Sequence, residues 1–220
     1  MDRRIERNGK MIKKNWKILL ATSLVVLLPI AAGLILWEQL PDMMPTHWDI
    51  TGEVDDMSSK PAAVFGPTLV LLAVHWLCLL VTFVDPKKKN HGRKILYLVT
   101  WLIPVLSVLL NTLMYITAMD NDVRIELVMP VFLGLVLAII GNYLPKCKQN
   151  YTIGIKLPWT LHSEENWNRT HRFAGRIWLG GGLVIMLTGL VGGFWIFVAA
   201  IFLMVLAPMI FSYVLHRKGI

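Results

Sequence analysis

The chain has 220 residues, 55% of them hydrophobic, yet it carries 22 Lys and Arg against 14 Asp and Glu, a formal charge of +8. A soluble domain of this length does not combine such basicity with a mean hydropathy of +0.58, so charge and hydrocarbon must be segregated along the chain. The basic residues sit beside the apolar runs, which makes them a topology signal and argues against direct nucleic-acid binding.

Residues 1–17 form a basic segment holding Arg3, Arg4, Arg7, Lys10, Lys13, Lys14 and Lys17, with Met11 offering a second start. Residues 18–40 are the first apolar run. It continues past Ala31, Ala32 and Gly33 with no small-residue cleavage site, so it reads as an anchor and not as a signal peptide. Residues 41–60 are an acidic loop punctuated by Pro41, Pro45 and Gly52. The second run, 61–84, ends at a basic hinge, 85–94. A third run covers 95–119, a short acidic loop 120–126, and a fourth run 127–144. After a long polar segment come 177–191 and 194–215, with Gly192 and Gly193 suited to a tight turn between them. The helix entering the fifth run from Phe173 lengthens it. Six runs of this size can each cross about 30 Å of hydrocarbon.

All of the Lys and Arg except Lys60 and Arg124 fall on one side of this arrangement. Both termini, the 85–94 hinge and the 145–176 segment are therefore expected in the cytoplasm, and the acidic 41–60 loop outside. The expected fold is all-α: a polytopic membrane bundle of six transmembrane helices with a cytoplasmic loop and an interfacial helix between spans four and five. Its regions are 1–17, a four-span part 18–144, and 145–220.

The polar stretch 142–176 is the longest in the chain. Tyr151, Ile153, Ile155 and Leu157 alternate with polar or small residues, which predicts a short extended run ended by Pro158. Ser163 is placed to cap a helix whose first turn holds Glu164 and Glu165. Trp167, His171, Ala174 and Trp178 then share one face, and Arg169, Arg172 and Arg176 another. That pattern predicts a helix at the lipid surface, Trp inward and Arg toward anionic headgroups.

Several residues invite chemistry. His75 lies mid-span and is read either as a proton-sensitive switch or as a neutral imidazole bonded to another helix, with Asn111 as candidate partner. His47, Asp49, Glu53, Asp55 and Asp56 lie together in the outer loop, but their spacing fits neither an EF-hand nor a zinc pattern. No metal and no cofactor are expected. Glu164-Glu165 through Arg169 spells E-E-x-x-x-R, the first motif of glutamate-dependent intramembrane proteases. The later His motifs of that family are missing, and acids at a helix start with a Glu165–Arg169 pair account for the same residues. A transporter with His75 in the path is a further alternative, weakened by the lack of acids deep in any run. Cys78 and Cys147 do not predict a disulfide. Gly180, Gly181 and Gly182 predict close helix packing, and Trp16, Trp37, Trp48, Trp159, Trp167 and Trp178 an interfacial aromatic belt.

Two segments carry a resemblance. Leu40-Pro41, Pro45-Thr46-His47-Trp48, Gly52 and Lys60-Pro61 resemble the outer loop of a small membrane domain of unknown function. Gly141-Asn142-Tyr143, Pro145, Asn150-Tyr151, Gly154-Ile155-Lys156, Pro158-Trp159-Thr160-Leu161, Glu165, Trp167, Thr170-His171-Arg172 and Gly175 resemble the signature of the SdpI family of bacterial integral-membrane immunity proteins. Lys156 stands where Arg is usual and Leu157 where Thr is frequent. The resemblance implies a non-enzymatic protein of the bacterial membrane that protects against a secreted antimicrobial peptide. It also implies a second role, in which the toxin-engaged protein holds a transcriptional repressor at the membrane. Candidate toxin or partner contacts are then His47, Trp48 and Asp49 outside, and Asn150, Gly154, Lys156, Pro158, Trp159, Thr160, Glu165, Trp167, His171 and Arg172 inside. His75 and Asn111 are the intramembrane polar pair.

Overall fold

The computed structural model describes residues 2–49, 51–119 and 123–220, with side chains from Trp16 onward. The side chains of Arg3 to Lys14, and Asp120 and Asp122 altogether, lie outside the described residues. Seven α-helices dominate: α1 Asp2–Ile35, α2 Lys60–Val84, α3 Arg93–Ala118, α4 Ile125–Tyr143, α5 Pro158–His162, α6 Glu164–Val191 and α7 Phe194–Arg217. Six of them, all but α5, contain stretches long and apolar enough to cross a membrane, as the hydropathy pattern predicts. Pro29, Pro67, Pro104, Pro130 and Pro208 lie inside these helices. Membrane helices tolerate this because neighbouring groups can satisfy the freed carbonyls.

The chain divides into two units. The first comprises residues 1–84 and 96–123. Here the 41–60 loop proves to be an antiparallel hairpin, β1 Met43–Trp48 and β2 Val54–Ser59. Its turn is built by Asp49, whose carboxylate accepts from Thr51 N–H at 2.8 Å, Thr51 Oγ1 at 2.7 Å and Glu53 N–H at 3.1 Å, with Gly52 at φ +89°. Those hydrogen bonds hold the carboxylate of this exposed residue below its usual range, the Thr51 hydroxyl contributing most. Lys60 closes the hairpin base. Its N–H donates to Asp42 O at 2.8 Å and its Nζ to Trp37 O at 3.1 Å. Met44 drops from β1 into a core with Leu40, Val64, Met114 and Tyr115.

Inside this unit the polar side chains pair differently from expectation. His75 is fully buried, and its Nε2 meets Thr22 Oγ1 at 3.2 Å, not Asn111. The Thr22 hydroxyl donates back to the carbonyl of Ile18, as hydroxyls in membrane helices commonly do, so the imidazole is the donor to it. Asn111 instead accepts from Thr68 Oγ1 at 3.2 Å and donates to Ser107 O at 2.8 Å. The Ser107 and Tyr115 hydroxyls donate to Val26 O and Pro29 O, each at 2.9 Å, beside the proline in α1.

The second unit comprises residues 85–95 and 124–220. Its spine is the α4–α6 pair. Gly175, Gly182 and Gly189 recur every seventh residue on α6 and face Gly141, Gly134 and the start of α4 in turn. A Cβ on Gly182 would strike Gly134 O and the Ala138 backbone, and one on Gly175 would strike Pro145 and Gly141 O. Without a hydrophobic drive inside lipid, such backbone-to-backbone approach is what joins helices. Of the Gly180–Gly182 run, Gly181 packs on Met204 of α7 and Gly182 on α4, whereas Gly180 faces open space. Gly192, at φ +64°, turns the chain into α7.

Polar helix and fifth span are one unbroken element, α6, capped by Ser163 Oγ accepting from Asn166 N–H at 3.1 Å. Its Trp167 and His171 face protein, fully buried, and do not dip into lipid, while Arg169, Arg172 and Arg176 stay exposed. Leucine at Gly182 should push α4 from α6 and cost roughly 1–3 kcal/mol or more by overpacking. Leucine at Gly180 should be nearly neutral. Thermal unfolding of both variants in nanodiscs checks the contrast.

Candidate functional site

Beyond α4 the chain makes a turn at Leu144–Lys146 and then runs from 147 to 157 as an irregular ribbon, not the extended run that the alternation predicts. Two causes are local. Asn150 Oδ1 accepts from the N–H of Thr152 at 2.9 Å and of Ile153 at 2.6 Å, curling the backbone over its own side chain. Gly154 then takes φ +116°, open only to glycine without strain.

The ribbon is held on α6 by a buried aromatic pair. Trp167 Nε1 donates to Cys147 O at 2.7 Å, and its ring stacks on His171 with centroids 4.1 Å apart. His171 Nδ1 donates to Trp167 O at 2.8 Å, the helical carbonyl one turn back, and Nε2 accepts from Ile155 N–H at 3.0 Å. Both ring nitrogens are thus committed, and the tautomer is set by its partners. Any Cβ on Gly154 would run into this pair. Cys147 lies in the same core, where burial pushes its thiol up to about 11, against a smaller opposite effect from Asn150. That thiol stays protonated and unreactive.

A second anchor comes from the basic hinge, whose Asp85 and His91 the sequence reading did not single out. Asp85 has a side chain with no exposure and His91 one with 2%. Asp85 Oδ2 accepts from Thr152 Oγ1 at 2.5 Å, Tyr151 N–H at 3.0 Å and His91 Nε2 at 3.2 Å, while Oδ1 accepts from Lys87 N–H at 2.7 Å. Burial alone would raise this carboxyl, but the Thr152, Lys87 and Tyr151 donors and the His91 charge outweigh it and leave it below its ordinary value. Gln149 extends the clasp. It donates to Thr160 O at 2.9 Å and Leu161 O at 3.1 Å, and accepts from Lys87 Nζ and, through its carbonyl, from Asn90 Nδ2 at 2.6 Å.

A third set ties α5 and α6 to α7. Trp159 Nε1 donates to Ser212 Oγ at 2.8 Å and its ring stacks on His216. Ser212 Oγ donates in turn to Asn166 Oδ1 at 2.6 Å, and Asn166 Nδ2 to Ser212 O at 3.0 Å. Thr160 Oγ1 accepts from Leu157 N–H at 2.9 Å.

The signature residues therefore sort into two groups. Asn150, Gly154, Trp159, Thr160, Trp167 and His171 come together and build the ribbon from beneath. Lys156, Pro158, Glu165 and Arg172 lie on its exposed side, with Lys156 Nζ donating to Thr152 O at 3.0 Å and Glu165 paired to Arg169 at 2.5 Å. His47, Trp48 and Asp49 belong to the hairpin of the other unit. His47 Nδ1 lies 2.6 Å from Asp55 Oδ1 across that hairpin. Sequence reasoning missed Asp85, His91, Gln149, Asn166 and Ser212. One signal was available for Asp85, a lone acid at a span end separated only by Pro86 from Lys87, Lys88 and Lys89.

Residues 146–212 match the SdpI/YfhL protein family, and residues 24–72 match a domain of unknown function, DUF1648. The chain is 27% identical over 199 residues to immunity protein SdpI of Bacillus subtilis (strain 168), covering 90% of this chain and 92% of that protein. No solved structure matches. The resemblance to the SdpI family carried by the signature residues is borne out, and with six apolar helices the chain is a multi-pass bacterial membrane protein.

Because Asp85 is held below its ordinary value of 3.8, its contribution is complete above that pH and is lost as pH falls through the lower folded value. Asp85→Asn should destabilise the clasp at neutral pH by roughly 2–4 kcal/mol, since a buried amide cannot accept every donor the carboxylate serves. Lower protection of the Tyr151 and Thr152 amides, measured against the intrinsic exchange rate at each pH, is the expected readout in the variant and in wild type at low pH.

Proposed function

We propose that this chain is a membrane immunity protein, protecting a bacterium from a secreted antimicrobial peptide at the outer face. We further propose that it signals by holding a soluble repressor at the cytoplasmic face. Kinship supports the class, and the clasp carries the finer reading. A segment whose only task was to connect two spans would not need so many buried polar contacts. Here they fix the arrangement of an exposed surface formed by Tyr151, Lys156, Pro158 and Arg172, on the side the charge count assigns to the cytoplasm.

The protease alternative gains nothing from the geometry. Glu165 is exposed and ion-paired with Arg169, and both nitrogens of His171 are already used. Neither group is set up to activate water.

Expression in a peptide-sensitive bacterium, challenged with several secreted antimicrobial peptides, should raise survival over an empty vector against at least one. Correctly inserted protein with no gain against any would refute immunity. Lys156→Glu with Arg172→Glu should leave insertion, thermal stability and survival intact, yet abolish the transcriptional response to the protective challenge. An unchanged response removes the ribbon from signalling.

A further inference from the structure

The first unit contains an open groove of about 1000 Å³ at the hairpin-bearing ends of α1 and α3. Its origin lies in the two faces of the hairpin. Strand side chains alternate, so Met44 goes into the core while Met43 and Pro45 point the other way. Pro45 pairs with Met57 across the strands, which brings Met57 to the groove, and Val54 lines it as well. Met43, Val54 and Met57 are 50%, 42% and 48% exposed, an apolar second face left uncovered among the described residues. Thr117 lines the same groove with a hydroxyl that meets no partner among the described residues.

The stretch that carries the groove is rich in acids. Between residues 38 and 60 the carboxylates are Glu38, Asp42, Asp49, Glu53, Asp55 and Asp56, and the one Lys or Arg is Lys60. Lys60 is already bound to Asp42 at 3.4 Å and to Trp37 O, with its side chain only 13% exposed. Glu38 lines the groove, and Glu53 directly precedes Val54. An occupant must therefore offer apolar surface to the floor and several positive charges to the rim. A zwitterionic lipid supplies the first without the second, and a second copy of this hairpin would bring like charge against like.

We propose that this groove is the docking site for a cationic amphipathic peptide, its apolar side on Met43, Val54 and Met57 and its lysines or arginines on the carboxylate rim. The flexible methionines let the floor adapt to more than one sequence. The biological role of the site rests on the immunity reading, whereas its binding chemistry does not.

The test uses the full chain in phosphatidylcholine nanodiscs, with empty discs subtracted. The probe is a fluorescent Leu/Lys amphipathic peptide, compared with its Leu/Glu counterpart. The Leu/Lys peptide should bind saturably and roughly tenfold or more tighter than the Leu/Glu peptide. Met43→Lys with Met57→Lys should weaken it by about tenfold or more, while Met43→Leu with Met57→Leu retains it. A photocrosslinker at position 54 should capture the peptide. Equal binding of both peptides, no effect of the lysine pair in a variant that melts normally, or crosslinks to lipid or to a second copy would each overturn the proposal. Survival assays separate the two readings. Lost probe binding with full protection sinks the groove's role and leaves immunity standing. Groove-dependent binding in a chain that protects no cell leaves the site standing and sinks immunity.

Discussion

The hydrogen bond from Ile155 N–H to His171 Nε2 matters more than its 3.0 Å suggests, because the ribbon has no helix or strand ladder to occupy its own backbone groups. Every buried N–H and C=O there needs a side-chain partner. His171 supplies one, Trp167 a second through Cys147 O, Asn150 accepts two more, and Asp85, Thr160 and Asn90 add others. Trp167 and His171 stand on α6, so the irregular segment inherits part of the rigidity of an element that spans the bilayer. The exposed residues above it are displayed from a fixed base.

How much of this was legible followed the physics of each signal. Spans are written in composition, and so were their number and approximate ends. Ser163 as cap and Gly192-Gly193 as turn are local chemistry, and both hold. The hairpin was hidden because β2, Val54–Ser59, is mostly polar and β1 contains a proline, so neither strand shows clean alternation. In the ribbon the alternation was present and misleading: Asn150 and Gly154 override it with side-chain bonding and a positive φ. Trp167 has the composition of a lipid anchor, and only a three-dimensional neighbour, Cys147 O, shows that it belongs to the core. Asp85 and His91 lie about sixty residues from Thr152, a separation that no pattern on a single chain reveals.

The two units bury polar groups in contrasting ways. In the second, the polar groups of the clasp are densely matched to one another and the ribbon is tight. In the first, among the described residues, the His75 imidazole is used on one side only, leaving Nδ1 buried with no partner, and the Ser23 hydroxyl is likewise unmatched. Unmatched polar atoms in a dry interior cost free energy of about 1–3 kcal/mol each. The matched half is the one that holds a shaped surface, and the unmatched half carries the wide groove of about 1000 Å³.

The glycine stride on α6 also limits how such a chain can vary in length. Gly175, Gly182 and Gly189 meet α4 only while seven residues separate them, and one inserted residue would swing all that follows by about 100° around the helix axis, presenting side chains where bare backbone must pass. Insertions and deletions are therefore confined to the connections outside that stretch. The rod between ribbon and final turn is a ruler of fixed length, and variation among similar chains has to be accommodated elsewhere.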